Sequence, residues 1–198
     1  MIIAGIGSGY ITYRIRTDGS SSDVVDSKFS KLYFNSSEYG YFYLIFSFIL
    51  VWIYLDGMAY YAHRFWHHKF LYKYFHKWHH YYKSPTSFSI IAMHPIEFFV
   101  YFSIIISPIF LIPIYHFNFY FILIYLYYFG LIDHSGIILE SIFPWQPNSI
   151  FHDNHHQYFH CNFGQNSSIW DKLHGSIRNK KNEYEENKFN KNNECLIL

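Results

Sequence analysis

Hydrophobic and polar positions divide the 198-residue chain into four tracts. Residues 1–38 are polar and mixed, with Gly5, Gly7, Gly9 and the run from Asp18 to Ser22, and they lack the basic start, apolar run and small-residue cleavage site of a secretory signal. A flexible or membrane-surface lead-in is expected there. From Tyr39 to Leu55 no charge interrupts the chain, a length near the lower limit for a helix crossing the hydrocarbon core. A second uncharged stretch, Phe98 to Ile132, is too long for one ordinary span and is broken by Pro108, Pro113, His116 and Asn118. It predicts a helical hairpin turning between Ile112 and Asn118. After Ile177 the chain becomes rich in Asn, Lys and Glu, too polar to bury a core, which predicts a disordered tail. The expected architecture is an all-α integral membrane protein with about three transmembrane helices. Its membrane-embedded unit covers residues 39–178, flanked by segments 1–38 and 179–198.

One crossing followed by a hairpin returns residues 56–97 and everything from Asp133 onward to the same side of the membrane. The loop from 57 to 96 carries Arg64, Lys69, Lys73, Lys77 and Lys83 and no acid, so the positive-inside rule assigns that side to the cytosol. Cys161 and Cys195 are the two cysteines, which suits a reducing setting and defines no disulfide framework. The ending Cys195-Leu-Ile-Leu matches a prenylation box whose final leucine favours geranylgeranyl, an alternative to an accidental ending. A net charge of +1 offers no basic stripe for neutralising phosphates, so nucleic acid is not an expected partner.

The chemistry lies in the histidines. All 14 fall between His63 and His174. His63 and His67 form an HxxxH pair, and at helical spacing two such imidazoles share a face one turn apart. His76, His79 and His80 form an HxxHH cluster, and His152, His155 and His156 repeat it. His134, in Asp133-His-Ser-Gly, stands where the third span would emerge beside the others. Ionisable groups near a membrane are costly unless they coordinate or pair. Nine imidazoles exceed the needs of one tetrahedral zinc and suit two metals with positions left open, although imidazole alone does not choose among iron, zinc, copper and nickel. Two divalent cations held by neutral ligands call for carboxylates that orient the imidazoles, and Asp56, Glu97, Asp133, Asp153 and Asp171 are the candidates. His94 divides between such a role, a ligand and an interfacial cap. His68, His116, His160 and His174 complete no spacing and read as bystanders.

Taken in order, Tyr60-Tyr-Ala-His-Arg-Phe-Trp-His67, Leu71-Tyr-Lys-Tyr-Phe-His-Lys-Trp-His-His80, Ala92-Met-His-Pro-Ile-Glu97, Asp133-His-Ser-Gly136, His152-Asp-Asn-His-His156 and Trp170-Asp-Lys-Leu-His-Gly175 form a pattern over residues 45–178. It resembles the fatty acid hydroxylase superfamily, with its sterol desaturases, methylsterol oxidases and cholesterol 25-hydroxylase, and the wording of the last boxes leans toward the last of these. The resemblance implies two iron ions held by the nine histidines, with zinc as a substitute in a purified form. It also implies use of O2 and electrons from NAD(P)H through a cytochrome b5-type or reductase partner. The expected setting is a multi-pass endoplasmic reticulum membrane protein with its boxes facing the cytosol, oxidising a sterol or fatty acyl lipid. A tenth ligand used by some relatives has no counterpart here unless His94 serves. Hydroxylation and desaturation begin with the same hydrogen abstraction, so no histidine separates them. A membrane zinc-binding or transport protein is the alternative from another class, but a transporter should carry its ligands within its spans at the midplane.

Overall fold

A computed structural model describes residues 30–82, 86–141 and 143–178. The expectations for residues 1–29, for the tail from 179 and for Cys195 lie outside the described residues. The described chain is mostly helical. Strand β1 is Leu32–Tyr33, and the helices are α1 (Gly40–Trp66), α2 (Lys69–Tyr74), α3 (Pro95–Ile106), α4 (Pro108–Leu111), α5 (His116–Asp133), α6 (Ile150–Tyr158) and α7 (Ile169–His174). Strand β2, Ile114–Tyr115, precedes α5, and two 3-10 turns, His76–Tyr81 and Ser87–Ile91, lie between α2 and α3.

The 27-residue α1 has the length and apolarity to cross a membrane, and only 28% of its most apolar stretch is buried. At a rise of about 1.5 Å per residue it is about 40 Å long, so it extends past the first uncharged stretch and carries the HxxxH pair on its last turns. The second uncharged stretch is a hairpin, as its prolines predict. His94 caps α3, its Nδ1 accepting from the Ile96 amide at 3.2 Å, and Pro95 occupies the first helical position, where a missing amide hydrogen costs nothing. Pro108 interrupts the helix after Ser107, α4 adds one turn, and the chain reverses at Ile112 and Pro113.

A feature the hydrophobic pattern does not contain closes this end. β1 and β2 pair in parallel, Leu32 with Ile114 and Tyr33 with Tyr115. The Tyr43 hydroxyl donates to the Pro113 carbonyl at 2.9 Å, and the Asn118 amide donates to the Leu44 carbonyl at 2.9 Å. The core beside them is Val51, Leu55, Ile114, Phe119 and Ile122. α1 and α5 therefore arrive together at the opposite end, where α3 begins, and Phe42, Phe46, Ile49, Phe99, Phe121 and Ile124 point outward from the three helices.

Candidate metal centre

The end where α1 and α5 finish and α3 starts gathers all nine predicted histidines, each of them buried. They form two groups: His63, His67, His76, His80 and His155 in one, and His79, His134, His152 and His156 in the other, with the donor atoms of each group within 4.8 Å of one another. Local backbone geometry makes the division. On α1, His63 and His67 share a face. The second box is a 3-10 turn; its i and i+4 imidazoles, His76 and His80, fall in the first group, and His79 falls in the other. On α6 the HxxHH spacing splits in the same way, His152 and His156 together and His155 apart, but here the pair joins the four-histidine group and the single imidazole the five-histidine group.

The inner nitrogens are spaced as ligands of common ions. In the five-histidine group, His67 Nε2 lies 3.0 Å from His76 Nε2, 3.1 Å from His80 Nε2 and 3.1 Å from His155 Nε2. In the other, His152 Nε2 lies 3.1 Å from His134 Nε2 and 3.2 Å from His156 Nε2. Nitrogens at right angles on metal bonds of about 2.1 Å stand about 3.0 Å apart.

The outer nitrogens fix the tautomers. His63 Nδ1 donates to the Phe163 carbonyl at 2.7 Å, His155 Nδ1 to the Cys161 carbonyl at 2.7 Å and His134 Nδ1 to the Gly130 carbonyl at 2.8 Å. A carbonyl oxygen can only accept, so Nδ1 holds the hydrogen and Nε2 presents a lone pair inward. His76 Nδ1 meets Glu97 Oε1 at 2.5 Å, which orients that ring and sets a carboxylate against the charge of the group. The inward lone pairs therefore face one another, and His63 Nε2 has no hydrogen-bond partner among the described residues. Burial, reinforced by neighbouring imidazoles, pulls His67, His76, His79, His80, His152 and His155 well below the usual histidine range and His156 down to about 3, while burial, opposed by the Gly130 carbonyl, brings His134 to about 4. Protons are thus disfavoured, and a cation in each group is the species that satisfies the donor set.

The remaining candidates divide by what they touch. Asp171 accepts from the Phe163 amide at 2.9 Å, the Gly164 amide at 2.6 Å and the Ser176 hydroxyl at 2.6 Å, so it supports the loop whose Phe163 carbonyl orients His63. Burial raises its carboxyl above the usual range, and those three donors oppose the rise. Asp56 accepts from Ser167 Oγ at 2.5 Å and Trp170 Nε1 at 2.8 Å, joining α1 to α7. Among the described residues neither Asp133 nor Asp153 accepts from an imidazole, and both expected orienting contacts are corrected accordingly; Asp133 instead lines a cavity. His94 is the cap of α3 and packs edge-on to Phe75, outside both groups. His68, His116, His160 and His174 are outside as well. The carbonyls of Cys161, Phe163 and Gly130 escaped sequence reasoning because side-chain identity does not encode a backbone acceptor.

A cavity of about 380 Å³ opens from the histidines between α1, α3 and α5. His63, His76, His79, His134 and His152 line it at the histidine end, and Leu55, Ile104, Ile105, Leu123 and Leu126 line it farther along the helices.

The model of the fatty acid hydroxylase family matches residues 48–176, a segment that contains all nine histidines. The chain belongs to the fatty acid hydroxylase family. Within that family it is 33% identical over 156 residues to human lathosterol oxidase, covering 76% of this chain and 52% of that protein. It is also 33% identical over 153 residues to a Delta(7)-sterol 5(6)-desaturase of Gibberella zeae, covering 75% and 47%. A Delta(7)-sterol 5(6)-desaturase of Schizosaccharomyces pombe is 31% identical over 155 residues, covering 74% and 44%. This fatty acid hydroxylase family member thus spans about half the length of the curated relatives it matches. No solved structure matches the chain.

Proposed function

We propose that this family member forms the dimetal site of a membrane oxidoreductase that takes hydrogen from an unactivated C–H bond of a sterol, with sterol desaturation as the outcome. The observation that carries the reading is the pair of buried histidine groups, both of which border a mostly apolar cavity. The names of the relatives favour desaturation over the cholesterol 25-hydroxylase-like and methylsterol oxidase alternatives. Two iron ions, when bound, supply the activation of O2 that such a bond requires. The nine histidines hold them, with zinc as a substitute ion. The carbonyls of Phe163, Cys161 and Gly130 keep three rings in the ligating tautomer, and Glu97 does the same for His76. The cavity walls orient the lipid and exclude water.

On this reading α1 crosses the membrane and the shorter α3–α5 hairpin supplies the other two spans, with their outward apolar side chains facing lipid. The histidine end then lies at one membrane surface, which argues against a transporter with a midplane site. Arg64, Lys69, Lys73 and Lys77 beside that end favour the cytosolic face of an endoplasmic reticulum membrane. The exposed Lys69, Lys73 and Lys77 also suit an acidic electron carrier of the cytochrome b5 or reductase type, fed by NAD(P)H.

The test uses one variant per group. Iron and zinc are measured per chain after expression in iron-fed membranes, for the native protein, His155→Ala and His79→Ala, and extracted sterols are analysed by mass spectrometry. About two irons per chain, with each variant losing the ion of its own group and the oxidised sterol, is the expected result. Metal content near zero, or unaffected by both substitutions, would overturn the reading.

A further inference from the structure

The cavity has a polar feature that the metal groups leave unused. Tyr101 lines it from α3, one turn beyond Glu97, and its hydroxyl oxygen is shielded from solvent without a hydrogen-bond partner. Glu97 Oε2, on the same face of α3, is likewise shielded and unpartnered, because His76 engages only Oε1. Two orphaned oxygens in an apolar cavity are costly unless a ligand completes them. Further along the same face, Ile104 and Ile105 present only hydrocarbon.

We infer that Tyr101 positions the substrate by donating to the single hydroxyl of an otherwise apolar, fused-ring lipid, while Glu97 Oε2 accepts from that hydroxyl. This rests on the sterol reading above. Four residues of helix separate the level of Tyr101 from that of Glu97 by about 6 Å, so a hydroxyl held there keeps the neighbouring ring carbons at the histidine end. The hydrocarbon tail then points along Ile104, Ile105, Leu123 and Leu126 toward the far end. The register favours oxidation in the ring that bears the hydroxyl or in the next one, and it disfavours oxidation at the tail, whose terminus lies a full sterol length away. Tyr101 is a positioning residue on this account.

The test compares binding of lathosterol and its 3-deoxy analogue to the iron-loaded full chain in detergent, for the native protein and Tyr101→Phe. Iron content reports the fold of the variant. One hydrogen bond to a buried partner is expected to give the native protein a preference of about tenfold for lathosterol, reduced to about threefold or less in Tyr101→Phe. A structural role for Tyr101 would weaken both ligands together and leave their ratio alone. Equal binding of the two sterols by the native protein, which requires no variant, would overturn the inference, and so would a preference that survives in Tyr101→Phe. If the preference is present and depends on Tyr101 but no oxidised sterol forms when a reductant is supplied, the positioning inference stands and the proposed reaction fails.

Discussion

Asp171 touches no histidine, yet on the proposed dimetal reading it supports metal binding through the loop it anchors, and Asp171→Asn isolates that effect. Asp171 is fully buried, and its two oxygens accept three donors: Phe163 N and Ser176 Oγ on Oδ1 and Gly164 N on Oδ2. An asparagine can retain its oxygen on only one side. With that oxygen toward Phe163 and Ser176, its NH2 group faces the Gly164 amide hydrogen, donor against donor, at what had been a 2.6 Å contact. One charge-assisted bond worth about 1.5–3 kcal/mol is lost and the other two weaken as the charge disappears, so the loop is destabilised by about 2–4 kcal/mol. That loop carries the Phe163 carbonyl that orients His63 and the Cys161 carbonyl that orients His155, both in the five-histidine group. Loss of such a support typically costs 10–100-fold in metal affinity. Chelator competition on iron-loaded protein should therefore show one ion released about 10–100-fold more readily in Asp171→Asn and the other unchanged, with a lower unfolding temperature in detergent. Native affinity for both ions, or equal weakening of both, would refute the chain of support from Asp171 to His63.

Gly164→Ala should act on the same loop by crowding, since a Cβ there would come within 2.2 Å of the Ser167 carbonyl oxygen and 2.7 Å of Asp171 Oδ2. An overpacking cost of about 1–3 kcal/mol is expected, read as reduced thermal stability and selective loss of the ion in the five-histidine group. The metal-free protein should lose stability as pH falls: the depressed histidine pKa values mean that the unfolded chain binds more protons below its ordinary value of about 6.5. The stabilisation is thus fully present above that pH and declines progressively toward the folded values of about 4 for His134 and about 3 for His156. Each buried imidazole contributes up to about 1.4 kcal/mol per pH unit, and a melting series from pH 8 to 5 that stayed flat would contradict it. Reversing Lys73 and Lys77 to glutamate should leave iron content intact while slowing sterol oxidation with an acidic electron carrier, more at low salt than at high salt.

How far the sequence reaches into this site depends on where each piece of information is stored. Ligand identity is held by side chains at helical spacings, so His63 with His67, the two HxxHH boxes and His134 could be read directly. The division into five and four could not, because HxxHH splits in the same way on α6 and on the 3-10 turn at His76–Tyr81, and only the placement of the two elements in the fold decides which group receives the pair and which the single imidazole. The hairpin was legible from Pro108 and Pro113, whereas the parallel pairing of Leu32–Tyr33 with Ile114–Tyr115 joins segments some eighty residues apart and leaves no local trace. His116, Asn118, Asp133 and the tyrosines of α5 make it less hydropathic than the most apolar stretch of α1, so α1 alone among the described helices meets the length and apolarity of a span. Acidic residues near the boxes were legible as a set, but their roles were not: Glu97 reaches an imidazole, Asp171 acts through backbone amides, and Asp56 joins two helices. Tyr101 is the extreme case. It is one of 21 tyrosines, and nothing in its neighbours singles it out. What distinguishes it is an unpartnered oxygen in an apolar cavity, a property of the fold around it and not of the residue. Sequence spacing therefore locates the candidate metal site, while the proposed substrate register depends on orphaned polar atoms that only the folded chain displays.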